Sequence, residues 1–280
     1  MTDPAELVAR ACRIVGKLDL THAALGHVSL RLGDSQTMLI KGKGPDEVGL
    51  RYTRPDDILT VDFNANKLNG ADGLQPPSES YLHIWLYKKN PDARSVIHVH
   101  PEHAVLLTIC EKEIVPIYGA YGTGSRLAID GVPTYPRSIT IHNDVLGEEF
   151  ADFMGARTVS LMRGHGVSVV GSSVEDATVR ALALNELVTM TYKAYLLGDP
   201  KPIPAEDIEE YRRPLEAHRP RGSAGGQAGM LATWRYYCML TGEEGEADRR
   251  SMPERRPRVT RSPARRSRPE RRSPRRKSSA

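Results

Sequence analysis

Three histidine and carboxylate features of this chain have the residue types and spacing for chemistry. His98-Val99-His100 stands at the end of a β-prone run, and residues i and i+2 of a strand project from one face, so both imidazoles can reach one point. His165 lies between Gly164 and Gly166, where glycine allows a tight turn and close approach of backbone to a ligand. Glu79 follows Pro76-Pro77-Ser78 and places a carboxylate at a turn that opens a helix. Three imidazoles with one exchangeable position form a common catalytic zinc arrangement, and such a metal acts as a Lewis acid on a carbonyl or enolate oxygen. An H-x-H pair by itself is equally a structural pair, and spacing alone does not bring His165 to His98.

The elements that must position these groups follow from periodicity. Asp3-Pro4 reads as an N-cap and first turn, and Leu7, Ala11, Ile14 and Leu18 give residues 4–19 an amphipathic helical face. The runs 27–32 and 37–41 flank Gly33-Asp34-Ser35-Gln36 as a hairpin. A strand is expected over 58–63, a loop over 64–77, a helix over 78–89 and a strand over 94–100 ended by Pro101. A short helix over 103–110 is followed by strand-like pieces near 114–118 and 132–134. Residues 144–154 read as a helix, 159–162 and 167–170 as strands either side of His165, and 174–197 as a long helix capped by Ser173. Residues 200–229 are rich in Pro, Gly and charge, and 231–240 form a last apolar helix or strand. Hairpins beside βα steps predict an α/β fold with a mixed, largely antiparallel sheet rather than a doubly wound parallel one.

Charge divides the 280 residues in two. Residues 249–280 hold 13 Arg, one Lys and two Glu, a balance of +12, and the remaining 248 residues carry −8. The acidic body, about residues 1–245, is expected to be one catalytic domain; the Arg/Ser/Pro-rich tail, 246–280, has too little apolar surface to fold alone. The tail reads either as a bland extension or as an arm with weak affinity for nucleic acid or acidic surfaces. No apolar run is long enough to span a bilayer, the first residues lack a secretory pattern, and Cys12, Cys110 and Cys238 make no disulfide framework, so a cytoplasmic protein with core cysteines is expected.

Taken together, Pro77-Ser78-Glu79, Tyr81-Leu82-His83, Asn90-Pro91-Asp92, His98-Val99-His100-Pro101 and Arg163-Gly164-His165-Gly166, in this order, resemble the class II aldolase/adducin family. The likeness extends over about residues 5–200 and takes in Gly26-His27-Val28-Ser29. The resemblance implies a three-layer α/β/α domain with a central, mainly antiparallel mixed sheet. It implies one divalent metal per subunit, zinc first and manganese second, held by His98, His100 and His165. Glu79 is then a ligand of the resting metal or the catalytic acid/base. It further implies a homotetramer with sites between subunits, a small anionic substrate and a metal-stabilised enediolate. Tyr121, with Tyr118 nearby, falls where relatives carry an acid that reaches a neighbouring subunit's site. Because adducin-like members have lost the ligands that this chain keeps, an enzyme is expected rather than a binding module.

The pattern departs from that of sugar-phosphate members. Their Asn is His27 here, the hairpin turn is Lys41-Gly42-Lys43-Gly44, and their Ser-Ser pair is Pro77-Ser78. His27, Ser29, Lys43, Gly44 and Ser78 are therefore the candidate substrate-binding residues, and a carboxylate suits them as well as a phosphate does. Arg51 and Arg54 read as a carboxylate clamp or as surface charges, and His83 as a satisfied buried histidine. The first expectation is an aldolase-type lyase acting on a small hydroxy-carbonyl compound other than a typical sugar phosphate. The alternative on the same metal site is a decarboxylase of a hydroxylated aromatic or heteroaromatic acid, and the contrasting class is a non-catalytic adducin-like module.

Overall fold

A computed structural model describes residues 3–117, 123–212 and 226–243, all within the unit Met1–Glu244. The basic tail, Tyr118 and Tyr121 lie outside the described residues. The strands are β1 His27–Arg31, β2 Thr37–Lys41, β3 Ile58–Asp62, β4 Lys67–Asn69, β5 Ser95–Val99, β6 Thr134–Tyr135, β7 Val159–Met162 and β8 Gly166–Gly171. They form one sheet in the order β4-β3-β2-β1-β5-β8-β7-β6, antiparallel throughout except for the β6–β7 pair.

The helices are α1 Pro4–Lys17, α2 Ser80–Lys89, α3 Glu102–Ile109, α4 Thr123–Asp130, α5 Asp144–Met154, α6 Val174–Leu197, α7 Ala205–Arg212 and α8 Gln227–Thr241. Strand alternation sends side chains to two different cores. Val28, Leu39, Ile97, Val99, Val167 and Val169 join apolar residues of α1, α3, α4, α6 and α8 on one side. Met38, Ile40, Val96 and Val170 join α2 and α5 on the other, where Leu82, Ile84, Phe150 and Met154 are buried. The result is the three-layer α/β/α arrangement with a mainly antiparallel sheet.

Capping follows local chemistry. The Asp3 carboxylate accepts the Ala5 N–H at 3.3 Å ahead of Pro4, and Ser173 Oγ accepts the Asp176 N–H at 3.1 Å to open α6. At the far end of the described chain, Glu243 accepts from Arg13 Nε at 2.7 Å and also pairs with Lys17, which ties the end of α8 to α1.

Register carries the site. His27 of β1 pairs with His98 of β5, His98 with Ser168 of β8, and Ser168 with Ser160 of β7. This polar row crosses four central strands on the face turned toward α2 and α5, the parity opposite to Val28, Ile97, Val99, Val167 and Val169.

Several expectations change. Residues 114–117 form no strand; Pro116 has no N–H for a ladder, and its carbonyl instead accepts from Ile203 N at 2.7 Å. The loop expected over 64–77 contains the short edge strand β4, and the segment after residue 200 contains α7. Residues 231–240 are helical, within α8. Cys12 and Cys238 are buried, but Cys110 is exposed because it caps the C-terminal end of α3. No described helix is long and apolar enough to cross a membrane.

At Gly171, the end of β8, an added Cβ would meet the Ala177 backbone N at 2.4 Å and its Cα at 2.7 Å. Gly171→Ala is expected to force β8 and α6 apart and cost about 1–3 kcal/mol, the range for overpacking a tight contact. The check is a lower urea midpoint with unchanged slope; an unchanged midpoint would show that the contact yields freely.

Candidate metal centre

Glu79 sits at the N-cap position of α2 but does not cap the helix with its side chain. Its Oε1 accepts the Ile141 N–H at 3.2 Å instead, which turns the carboxylate toward the sheet. There it faces His165 Nε2 at 3.6 Å, His98 Nε2 at 3.5 Å and His27 Nε2 at 3.7 Å. His98 Nε2 and His100 Nε2 are 3.0 Å apart. One donor atom from each of Glu79, His98, His100 and His165 lies within 4.8 Å of all the others.

These spacings fit a metal. Ligand atoms at the corners of a tetrahedron with bonds of ~2.0–2.1 Å stand about 3.4 Å apart. The donor set, three imidazole nitrogens and a carboxylate, suits a divalent ion of the zinc or manganese kind. His98 Nδ1 lies 3.1 Å from Ser168 Oγ, a partner that orients the ring and leaves Nε2 for the cluster. Nδ1 of His100 and of His165 are buried without a hydrogen-bond partner among the described residues.

Local backbone makes the convergence possible. His98 is in β5 and His100 follows its end, just before the Pro101 cap of α3. His165 is in the β7–β8 turn, where its N–H donates to the Met162 carbonyl at 3.1 Å and Gly164 takes a φ of +59°. A Cβ on Gly166 would stand 2.4 Å from the Val99 carbonyl and 2.7 Å from His100 Cδ2. Only a glycine there lets the His165 turn and the His100 ring come together.

Electrostatics follow from burial and from the cluster itself. Burial alone would raise the Glu79 carboxyl, but the surrounding His98, His27 and His165 outweigh it and hold the group well below the usual carboxylate range. Burial lowers His27 and takes His98 well below the ordinary imidazole value; it brings His100 to about 4, with His165 adding to that shift.

The remaining candidates divide. His27 is buried and opposes Glu79, with its ring stacked on His98 at 5.2 Å. Lys43 is half-buried beside the cluster; burial lowers its ammonium and Glu79 partly restores it. Its Nζ is 3.0 Å from Glu47 Oε1, and the same carboxylate pairs with the fully buried Lys41, whose ammonium burial pushes down to about 8. The sequence reading named Lys41 only as part of the turn and did not name Glu47; a lysine directly after the apolar run Met38–Ile40 was the available signal. Gly44 serves packing, since a Cβ there would meet the Gly73 carbonyl at 2.3 Å. Ser78 is exposed at the mouth of α2. Ser29 departs from its expected place on the substrate wall: it is fully buried behind His27, against His83 and Tyr87. Arg51 is half-exposed and lies 3.5 Å from Asp19, and Arg54 is also at the surface, so the surface alternative holds for both.

Comparison with known proteins decides the lineage. The family profile described as "Class II Aldolase and Adducin N-terminal domain" matches residues 6–192. The chain belongs to the class II aldolase and adducin family. As a member of that family it is 38% identical over 207 residues to a 3,4-dihydroxyphthalate decarboxylase of Terrabacter sp. (strain DBF63), covering 72% of this chain and 86% of the relative. It is 32% identical over 189 residues to a methylthioribulose-1-phosphate dehydratase of Pectobacterium atrosepticum, covering 63% and 88% respectively. A crystal structure of an aldolase II superfamily protein from Pseudomonas syringae superposes with a TM-score of 0.72 at 20% identity, covering 86% of this chain and 93% of that one, a likeness of fold. Class II aldolases use a divalent metal, and the Glu79/His98/His100/His165 cluster of this family member is able to bind one.

Two outcomes are expected. Gly166→Ala should displace His100 and lower metal content in equilibrium dialysis while the far-ultraviolet dichroism is unchanged; full metal loading would show that the close approach is not needed. In metal-free protein, His27 and His98 are lowered and His100 stands at about 4 against an ordinary 6.5. Between roughly pH 6.5 and 4 the unfolded chain then binds more protons than the folded one, so stability falls as pH falls. Glu79, also lowered, adds a loss of the same sign at still lower pH. Urea midpoints across this window report the slope, and a flat profile would contradict it.

Proposed function

We propose that this protein is a metal-dependent decarboxylase of a hydroxylated aromatic acid, of the dihydroxyphthalate type. The observation that carries this reading is Lys43. A half-buried ammonium stands beside the metal cluster at the hairpin turn where sugar-phosphate members are expected to use neutral donors. The 38% identity to a 3,4-dihydroxyphthalate decarboxylase, over most of both chains, supports the same conclusion. The aldolase-type expectation gives way to this alternative, which uses the same electron sink with a different leaving group.

His98, His100 and His165 would hold the metal, with zinc the ion that their nitrogen-rich set favours, and Glu79 would complete the set only at rest, leaving it to act on the proton when substrate is present. When bound, it supplies a Lewis acid that withdraws electrons through a ring hydroxyl. Lys43 Nζ binds a substrate carboxylate, and Glu47 and Lys41 hold the turn that carries it. Glu79 Oε1 is committed to the Ile141 N–H, so Oε2 is the oxygen free to take the phenolic proton. The ring–carboxylate bond breaks, carbon dioxide leaves, and the electron pair stays on a ring carbon ortho or para to the hydroxyl. The proton held at Glu79 Oε2 then closes that carbon. Tyr121 is assigned as a second acid from a neighbouring subunit of a cytoplasmic homotetramer, an assignment that rests on the family resemblance. Turnover is assigned to residues 1–245 and none of it to the basic segment 246–280.

The test supplies metal-loaded protein with 3,4-dihydroxyphthalate and follows carbon dioxide and the dihydroxybenzoate product. Lys43→Met should raise KM about 10–100-fold, the range for one hydrogen bond to a charged group. Release of aldehyde from hydroxy-carbonyl substrates, with no carbon dioxide from any hydroxylated aromatic acid, would overturn the reading.

A further inference from the structure

Behind His27 runs a buried line of polar groups that the metal cluster does not use. His27 Nδ1 is 2.7 Å from His83 Nε2, His83 Nδ1 is 2.7 Å from Ser29 Oγ, and Ser29 Oγ is 2.7 Å from Tyr87 OH. All four residues are at most 2% exposed. The line joins β1 to α2, with Ser29 two residues after His27 on one strand face and Tyr87 one helical turn after His83.

Each short contact requires one proton between its two atoms. Ser29 and Tyr87 each have a single O–H, and a neutral imidazole has a single N–H. His83 has no carboxylate beside it, and a charge buried without one is costly, so its ring is neutral; His27 Nε2 lies 3.7 Å from Glu79 Oε2, so its protonation is read from the contacts of the line. Burial also takes His83 well below the ordinary imidazole value. Three contacts take three protons, and the spare proton lies on His27, on Tyr87 or on Ser29; on Ser29 it would have no acceptor among the described hydrogen bonds, which leaves one polarity running toward Glu79 and one away from it.

Both ends select the same polarity. At the outer end, Tyr87 OH has Ser29 Oγ at 2.7 Å and the Arg94 carbonyl at 3.5 Å, so its proton goes to Ser29. Ser29 therefore donates to His83 Nδ1, His83 Nε2–H donates to His27 Nδ1, and the His27 proton is left on Nε2. At the inner end, His27 Nε2 faces Glu79 Oε2 at 3.7 Å, where an N–H is attracted to the carboxylate and a lone pair is repelled. The reverse polarity would set two acceptors against each other there and leave the Tyr87 proton on the long contact.

We propose that Tyr87, Ser29 and His83 form a one-way hydrogen-bond chain that locks His27 as its Nε2–H tautomer. His27 is thereby a fixed hydrogen-bond donor to the substrate rather than a further metal ligand. A nitrogen carrying a proton cannot coordinate, which separates His27 from the three imidazoles beside it although its ring stacks on His98. The chain ends at the buried Tyr87 hydroxyl, so it aligns a donor and opens no route to solvent. In this scheme His27 is the residue that touches substrate, and His83, Ser29 and Tyr87 are positioning residues. The substrate contact rests on the decarboxylase reading; the tautomer does not.

The experiment uses full-length, metal-free protein with 15N-labelled histidine, and long-range proton–nitrogen correlation reads which ring nitrogen bears the proton. His27→Gln identifies the His27 signals. The expected wild-type pattern is a protonated Nε2 and a bare Nδ1 for both His27 and His83. Ser29→Ala should abolish the single-tautomer pattern at His27, and Ser29→Thr should restore it. With metal and 3,4-dihydroxyphthalate, Ser29→Ala should lower kcat about tenfold with KM changed less than about twofold, as expected for a contact tightened in the transition state. A proton on His27 Nδ1 in the wild type would overturn the proposal, as would a His27 tautomer indifferent to Ser29→Ala. The wild-type spectrum decides even if the variants fold poorly, and a tautomer result of either sign stands apart from whether this acid is turned over.

Discussion

A carboxylate buried among imidazoles governs the architecture of this site. Taking a charge such as Glu79 out of water costs several kcal/mol unless partners meet it. Here the fold meets it on two sides, with the Ile141 N–H on Oε1 and with imidazole nitrogens 3.5–3.7 Å away. A set of converging lone pairs around one anion is an unfinished structure, best completed by a cation. The start of α2, the β7–β8 turn, the end of β5 and the residue 140 loop are all held where they are by contacts to that one residue or to its ring neighbours. The helix even forgoes a side-chain cap from its own N-cap residue so that the carboxylate can turn inward.

Around this centre the protein sets two kinds of nitrogen partner. The imidazoles are depressed by burial and stay neutral, which suits them to ligate or to donate without carrying charge into the core. Lys43 is different: it is half-buried and shares Glu47 with Lys41. Glu47 is the counterweight in that trio, because without it two ammonium groups on one turn would repel and the turn would open. An anion entering beside Lys43 therefore finds a charge already oriented, so little ordering cost remains to be met on binding.

Much of this was legible in the chain because it depends on local geometry. The pair His98 and His100 follows from strand parity, and His165 from the glycines on both sides of it. Glu79 follows from a proline-rich turn before an apolar helix. The layers followed from alternation in β1, β2, β5 and β8 and from the capped helices α1 and α6. What stayed hidden depends on long-range packing. His83 was recognisable as buried, but its partners His27 and Ser29 lie 56 and 54 residues away on another element. Ser29 was placed on the substrate wall because it belongs to the family motif Gly26-His27-Val28-Ser29, and only the position of α2 shows that Tyr87 and His83 occupy that space. The short helix α4 has only eight residues and begins with Thr123-Gly124-Ser125, too short a stretch for its apolar face to stand out in the sequence. Residues 114–117 carried the β-branched composition of a strand without a neighbour to pair with.

The polar row across β1, β5, β8 and β7 makes the chemistry a matter of odd and even numbers. Every functional imidazole on these strands faces α2 because its position has one parity, while Val28, Ile97 and Val99 fill the opposite core with the other. Deleting a single residue within β1 or β5 would exchange the two sets, placing valines at the metal and histidines in the apolar layer. Changes of chain length can accumulate in the loop after β2 or in the segment before α8 without touching this code. They cannot enter the central strands one residue at a time. Catalytic identity in this fold is thus protected by strand phase as much as by the identity of any single histidine.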